Sequence, residues 1–201
     1  MKSLFLQMTA FGPFAATQSI HFTDLGDNPL FLINGPTGAG KTSILDAIAF
    51  ALYGKTTGDR SADAMRCHHA ANDVETEVIF IFALADKIYR VDRKPTQTTK
   101  AKRGDGLTTR QASANLYQVT AESGHSPLSW PTTLLSSSSV TQANAKVEQL
   151  IGLNDSQFRQ VVVLPQGQFR ELLVANSQSR ETILASLFQT ETFKRIEEAV
   201  T

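Results

Sequence analysis

An α/β fold is predicted by three features of this 201-residue sequence. The apolar run Leu30-Phe31-Leu32-Ile33 leads into the glycine-rich stretch Gly35 to Thr42, and an apolar helical stretch, Ser43 to Leu52, follows it. Residues Glu75 to Leu84 alternate, with Thr76, Val78, Phe80, Phe82 and Leu84 on one face, which is the period of a strand. Helical spacing returns in Thr141 to Ile151 and from Arg170 almost to the end.

The elements follow in order. Ser3 to Thr9 and Ser19 to Thr23 read as strands flanking the turn Phe11-Gly12-Pro13-Phe14, and a third strand, 30 to 34, enters the glycine-rich loop. After the first helix, Gly54 to Arg60 is a polar loop. Glu75 to Leu84, a turn at Ala85-Asp86 and Lys87 to Val91 make a hairpin, and Gln111 to Val119 resembles a further strand. A small antiparallel sheet over 75–119 is therefore expected as an insertion after the first helix. Residues 121–139 carry Pro127, Pro131 and four consecutive serines and are expected to be loop. Asn154 is placed to cap a short helix, with Gln157 at the third helical position. Val161 to Leu164 reads as a buried β-branched strand ended by Pro165-Gln166-Gly167-Gln168-Phe169. Residues 167–201 read as a helical lobe, and with no Gly or Pro after Val200 the chain is expected to stop inside a helix.

Gly35-Pro36-Thr37-Gly38-Ala39-Gly40-Lys41-Thr42 satisfies the pattern G-x-x-x-x-G-K-[ST] at every fixed position, between a strand pattern and a helix pattern. The glycines let successive backbone N–H groups turn toward phosphate oxygens, and the following helix directs its positive end at them. The expected ligand is a nucleoside triphosphate, ATP, with Mg²⁺. Binding is expected from Asn34, Gly35, Pro36, Thr37, Gly38, Ala39, Gly40, Lys41, Thr42 and Ser43. Lys41 is placed to neutralise β/γ charge, and Thr42 to offer its hydroxyl to Mg²⁺. Gln166, between a strand pattern and a helix, is the candidate second metal contact through its neutral amide oxygen; Lys41 and Gln166 are the candidate catalytic residues.

Composition narrows the class. No apolar run approaches the length of a membrane span, and Met1-Lys2-Ser3-Leu4 leads into strand pattern rather than a secretory segment, so a cytoplasmic protein is expected. The single cysteine, Cys67, rules out an internal disulfide, and Cys67-His68-His69 reads as a partly exposed turn rather than a zinc site. Nineteen basic and nineteen acidic residues cancel, which gives no general polyanion signal. Locally, Lys87, Arg90, Arg93, Lys94, Lys100, Lys102 and Arg103 stand against Asp92 alone, and that run either touches phosphates or forms a solvated hairpin with a flexible tip at Pro95 to Lys100.

ATP hydrolysis by such a loop ordinarily needs an acid at the end of a second apolar strand. Val78 to Asp86 alternates like a hairpin arm, and Asp86 is followed by Lys87; no Asp-Glu dipeptide and no Ser-Gly-Gly triplet occurs anywhere. A self-contained phosphotransferase, which should carry its own acidic strand, is therefore disfavoured.

Phe11-Gly12-Pro13-Phe14, Gly35 to Thr42 with Ser43-Ile44-Leu45-Asp46-Ala47-Ile48, Ala51-Leu52-Tyr53-Gly54, and Leu164-Pro165-Gln166-Gly167-Gln168-Phe169 with Leu184, Leu187 and Phe188 together resemble the N-terminal segment of the SbcC family. These are bacterial ATPase subunits of the SbcC–SbcD nuclease, related to the eukaryotic double-strand-break repair ATPase and to SMC proteins. The resemblance spans nearly the whole sequence. It implies the N-terminal lobe, 1–201, of a split ABC-type P-loop ATPase head, with Gln166 as the Q-loop glutamine and Glu191 to Val200 as the start of a long coiled coil. It also implies that the C-terminal half of the same full-length chain supplies the signature and acidic strand. Heads would form a homodimer on ATP binding, with an SbcD-like nuclease subunit and double-stranded DNA as partners. The rival reading is an SMC- or RecN-like ATP-gated DNA tether without a nuclease.

Overall fold

The computed structural model describes residues 1–26, 31–58, 60–100 and 106–161. Its strands are β1 (Lys2–Thr9), β2 (Gln18–His21), β3 (Glu77–Leu84), β4 (Lys87–Lys94), β5 (Gln97–Lys100), β6 (Leu107–Arg110), β7 (Ser113–Val119) and β8 (Thr132–Ser136). Six of them form one sheet in the order β2-β1-β3-β4-β7-β8, antiparallel at every pairing, while β5 and β6 form a separate antiparallel pair.

The strands over 75–119 are antiparallel, as expected, but β3, β4 and β7 extend the sheet begun by β1 instead of forming a small sheet of their own. β3 pairs directly with β1, placing Phe80 opposite Leu6 and Val78 opposite Met8. All four side chains are buried, so joining the hairpin to β1 makes one continuous apolar face where two small sheets would have left two exposed ones. The turn at Ala85-Asp86 forms as expected, with Ala85 at φ 52°.

Helices α1 (Lys41–Tyr53) and α2 (Val140–Ile151) pack against the sheet through β3 and β4, and through β7 and β8, respectively. Ala47, Phe50, Ala51 and Leu52 of α1 and Ala143 and Val147 of α2 are buried, as are Val91 and Leu116 of the sheet. Phe11 adds its ring to that of Phe50, with centroids 5.6 Å apart. The opposite sheet face carries a smaller apolar cluster of Leu4, Phe5, Ile79 and Ile81, against which Leu128 and Trp130 lie. Trp130 donates from Nε1 to the Glu122 carbonyl at 2.9 Å, which fixes the covering segment.

That segment corrects a second expectation, because 121–139 is not all loop. β8 lies within it as an edge strand beside β7, Val119 facing Thr132, with the Thr120 N–H on the Pro131 carbonyl at 3.0 Å. Pro131 just ahead of the strand needs no ladder donor, which is where proline is tolerated.

The third correction concerns 30–34. Residues 31–36 have no regular secondary structure, and Phe31, Leu32 and Ile33 are 52, 87 and 36% exposed. A strand is held by the backbone bonds of a neighbouring strand, and none among the described residues runs beside this segment.

A second compact unit begins at Leu153. There α3 (Asp155–Val161) starts with the expected reciprocal cap: Gln157 N–H donates to Asn154 Oδ1, and Asn154 N–H to Gln157 Oε1, each at 2.9 Å. Val161 is helical and not the start of a strand. Residues 162–201, with the expected helical lobe and coiled coil, lie outside the described residues.

Candidate functional site

Asn34 to Gly40 lead without interruption into α1. The Asn34 side chain accepts from Gly35 N–H at 2.8 Å, and Ala39 N–H donates to the Pro36 carbonyl at 3.2 Å, which closes the turn. Gly40, the N-cap of α1, has φ +86°, a conformation L side chains rarely adopt. A Cβ there would also stand 2.6 Å from Phe14 Cζ and 2.9 Å from Pro13 Cγ. Lys41 reaches back across the loop, its Nζ donating to the Gly35 and Pro36 carbonyls at 2.8 Å each. The ammonium therefore bridges the carbonyls of the first two residues of the glycine-rich stretch.

No side chain caps α1. Among the described residues its positive end has no side-chain acceptor, and an ammonium stands beside it, a donor set suited to a polyanion such as a triphosphate. For a metal, Thr42 offers an exposed hydroxyl at the start of α1, with that of Ser43 next to it in sequence; no group of three or more His, Cys, Asp or Glu exists among the described residues. That suits Mg²⁺, which takes few protein ligands and keeps phosphate and water oxygens. Asn34 through Ser43 form one continuous loop and helix start, while Gln166 lies outside the described residues.

Three supports of the loop went unread in the sequence. The first is the anchoring of the turn Phe11 to Phe14, by Gly12 N–H on the Met65 carbonyl at 2.6 Å and by Cys67 N–H on the Ala10 carbonyl at 2.9 Å. Arg66 anchors the far side, donating to the carbonyls of Val74 and Ala71 at 2.7 and 2.9 Å. Cys67-His68-His69 is the expected partly exposed turn, with Cys67 buried and His68 and His69 exposed.

The second support is Asp46, a buried acid on α1 whose Oδ1 accepts from the Thr57 N–H at 2.9 Å and from the Thr57 hydroxyl. Thr56 in turn donates to the Arg60 carbonyl at 2.6 Å. An acid inside the apolar run Ile44 to Leu52 was the sequence signal for such a partner. The third is Arg93, at the other end of α1; the alternation of β4 gives its face but not its neighbour.

The basic run is not a free cationic strip. Arg90 pairs with Asp92 at 2.6 Å, Lys94 with Glu75 at 2.8 Å and Glu77 at 3.5 Å, and Arg93 is buried. Burial works against the Lys94 ammonium, but its hydrogen bond to Glu75 and the charges of Glu77 and Glu75 outweigh it and hold Lys94 above its ordinary value. Burial raises Glu77, with Lys94 opposing. Nor is there a flexible tip at Pro95 to Lys100: Gln97 to Lys100 form β5, paired with β6. Lys102 and Arg103 lie outside the described residues.

A glycine-rich turn with a lysine folded across it, opening a helix that is docked on a sheet, defines a P-loop nucleoside-triphosphate-binding domain. Residues 6–199 match the family model described as AAA domain, and the chain belongs to that family. It is 51% identical over 201 residues, its whole length, to the C subunit of nuclease SbcCD from Vibrio cholerae, of which it covers 19%. Relatives of the same name in Lactococcus lactis and Staphylococcus epidermidis are each 36% identical, over 96 and 98% of this chain and 18% of their own length. The chain thus spans about a fifth of the curated relatives it matches. The resemblance first read from short motifs extends across the whole sequence. No described helix is long and apolar enough to cross a membrane.

Proposed function

We propose that this chain is the N-terminal half of the ATP-binding head of a DNA double-strand-break and hairpin-processing nuclease subunit, working in the cytoplasm. One observation supports the split-head reading above the rest. Phe31-Leu32-Ile33, the apolar segment entering the loop, is exposed at 52, 87 and 36%, and Leu45 of α1 is 41% exposed. A segment of this kind gains stability by pairing as a strand, and in relatives about five times as long the remaining chain could supply its neighbours.

In this reading Asn34 to Ser43 hold ATP. Lys41 exchanges its two loop carbonyls for β/γ-phosphate oxygens, and the unclaimed N–H groups of α1 bind the phosphates. Thr42 and Gln166 would hold Mg²⁺, which neutralises phosphate charge. The C-terminal half of the full-length chain contributes the signature and the hydrolytic acid, so two heads close as a homodimer around two ATP molecules. Closure is driven by contacts that the γ-phosphate makes and ADP does not. Residues 167–201 carry that movement into a coiled coil and so control an SbcD-like nuclease on double-stranded DNA; the nuclease chemistry belongs to that partner.

The test is the oligomeric state of the full-length chain by light scattering, with the nuclease subunit sought in the same purification. ATP-dependent dimers with the nuclease bound support the proposal. A chain that dimerises with ATP and opens and closes on DNA without a nuclease subunit would favour the SMC- or RecN-like tether.

A further inference from the structure

The end of α1 remote from the loop is closed by a buried cation. Three carbonyls, those of Ala51, Leu52 and Tyr53, follow the last intrahelical bond, from Gly54 N–H to the Phe50 carbonyl at 2.7 Å. Arg93 Nε donates to Ala51 at 2.9 Å and Nη2 to Leu52 at 3.1 Å. The Asn144 side chain of α2 donates to Tyr53 at 3.3 Å and accepts from Arg93 Nη2 at 2.7 Å. All three carbonyls are thus taken by side chains, one from β4 and one from α2.

Arg93 is 1% exposed, and the oxygens that accept from it carry no formal charge. Nη1 has no hydrogen-bond partner among the described residues. Gly54 makes room for it: a Cβ at residue 54 would stand 2.7 Å from Nη1. Burial pushes the guanidinium down to about 10, still charged at neutral pH. Removing such a charge from water is unfavourable. The negative end of a helix and the fixed carbonyls offset that cost only while α1 stays seated. The guanidinium therefore holds α1 in one position relative to β4 and α2.

We propose that Arg93, with Asn144, is a positioning residue for nucleotide binding: it fixes the C-terminal end of α1 so that the N-terminal end presents the glycine-rich loop and Lys41 in the geometry that takes triphosphate. A rigid helix released at Tyr53 tilts as a unit, which changes the direction in which Lys41, twelve residues and about 18 Å away along the axis, is presented. This rests on the nucleotide-site reading above.

The experiment measures Mg-ATP affinity and thermal midpoint of the full-length chain and of Arg93→Met, Arg93→Lys, Asn144→Ala and Lys41→Ala. Arg93→Met is expected to weaken ATP binding by the folded protein about tenfold, since small misplacement of a binding group is costly. Arg93→Lys, which keeps the charge but not the fork, should recover part of that loss. Asn144→Ala, which removes an acceptor of Arg93 and the side-chain donor to the Tyr53 carbonyl, should weaken binding about threefold and keeps the question open to test if Arg93→Met does not fold. A lower melting midpoint with unchanged ATP affinity in the folded variants would overturn the proposal and leave Arg93 a stability residue. Wild-type affinity in Lys41→Ala would instead sink the nucleotide site itself, whatever Arg93 does.

Discussion

Phe14 lies against Gly40, so the turn after β1 and the first residue of the helix junction shape one another. A Cβ on residue 40 would meet the Phe14 ring at 2.6 Å, and the backbone there is left-handed. Gly40→Ala should therefore lose ATP binding, because the left-handed conformation alone costs about 1–2 kcal/mol and the ring must also move. Phe14→Ala removes the ring and should relieve that clash, so the double variant should bind ATP better than Gly40→Ala. Equal binding by the two would show that the ring exerts no constraint; nucleotide titration decides it.

Lys41→Ala removes the ammonium that spans the Gly35 and Pro36 carbonyls. ATP binding should fall at least a hundredfold with little change in melting midpoint, since the lysine is bonded within an exposed loop. A large fall in midpoint would mean that Lys41 is mainly a structural tie.

Asp46→Ala leaves the Thr57 N–H and hydroxyl without their acceptor. An unpaired, partly buried donor costs about 1–3 kcal/mol, so denaturant unfolding should shift by that amount. Amide exchange at Thr57 should rise more than in β3. Unchanged exchange at Thr57 would contradict the tie between α1 and this loop.

Lys94 gives a pH dependence with a definite sign. Its value is raised in the folded state, so its ion pairs with Glu75 and Glu77 contribute stability that is full below the ordinary lysine value and is lost as pH rises through the raised one. Lys94→Gln should lower the unfolding midpoint near neutral pH, and the gap to wild type should shrink above about pH 10.5. A gap that widens there would contradict the ion pairing.

Much of this architecture was legible because local rules and tertiary needs agree. The alternation of Val78, Phe80 and Phe82 faces a core that exists, Asn154 and Gln157 cap as their spacing demands, and the residues of the glycine-rich loop are neighbours in sequence. What escaped depends on partners far along the chain. Phe31 to Ile33 carry strand-forming residues, yet a strand also needs a neighbour. β8 is decided by the free edge of β7, which no window around Thr132 contains. Arg93 reads as one of several basic residues, and its burial follows from the end of α1 lying above it.

In the proposed split head a triphosphate-binding loop is whole in this chain, and the hydrolytic acid lies elsewhere in the longer protein. Steady-state ATP turnover by residues 1–201 alone, set beside the same residues joined to the C-terminal half and beside Lys41→Ala of each, tests it most directly. The short chain should show no turnover above its Lys41→Ala background, and the joined protein should show turnover that Lys41→Ala abolishes. Sustained, Lys41-dependent hydrolysis by the short chain would contradict the claim.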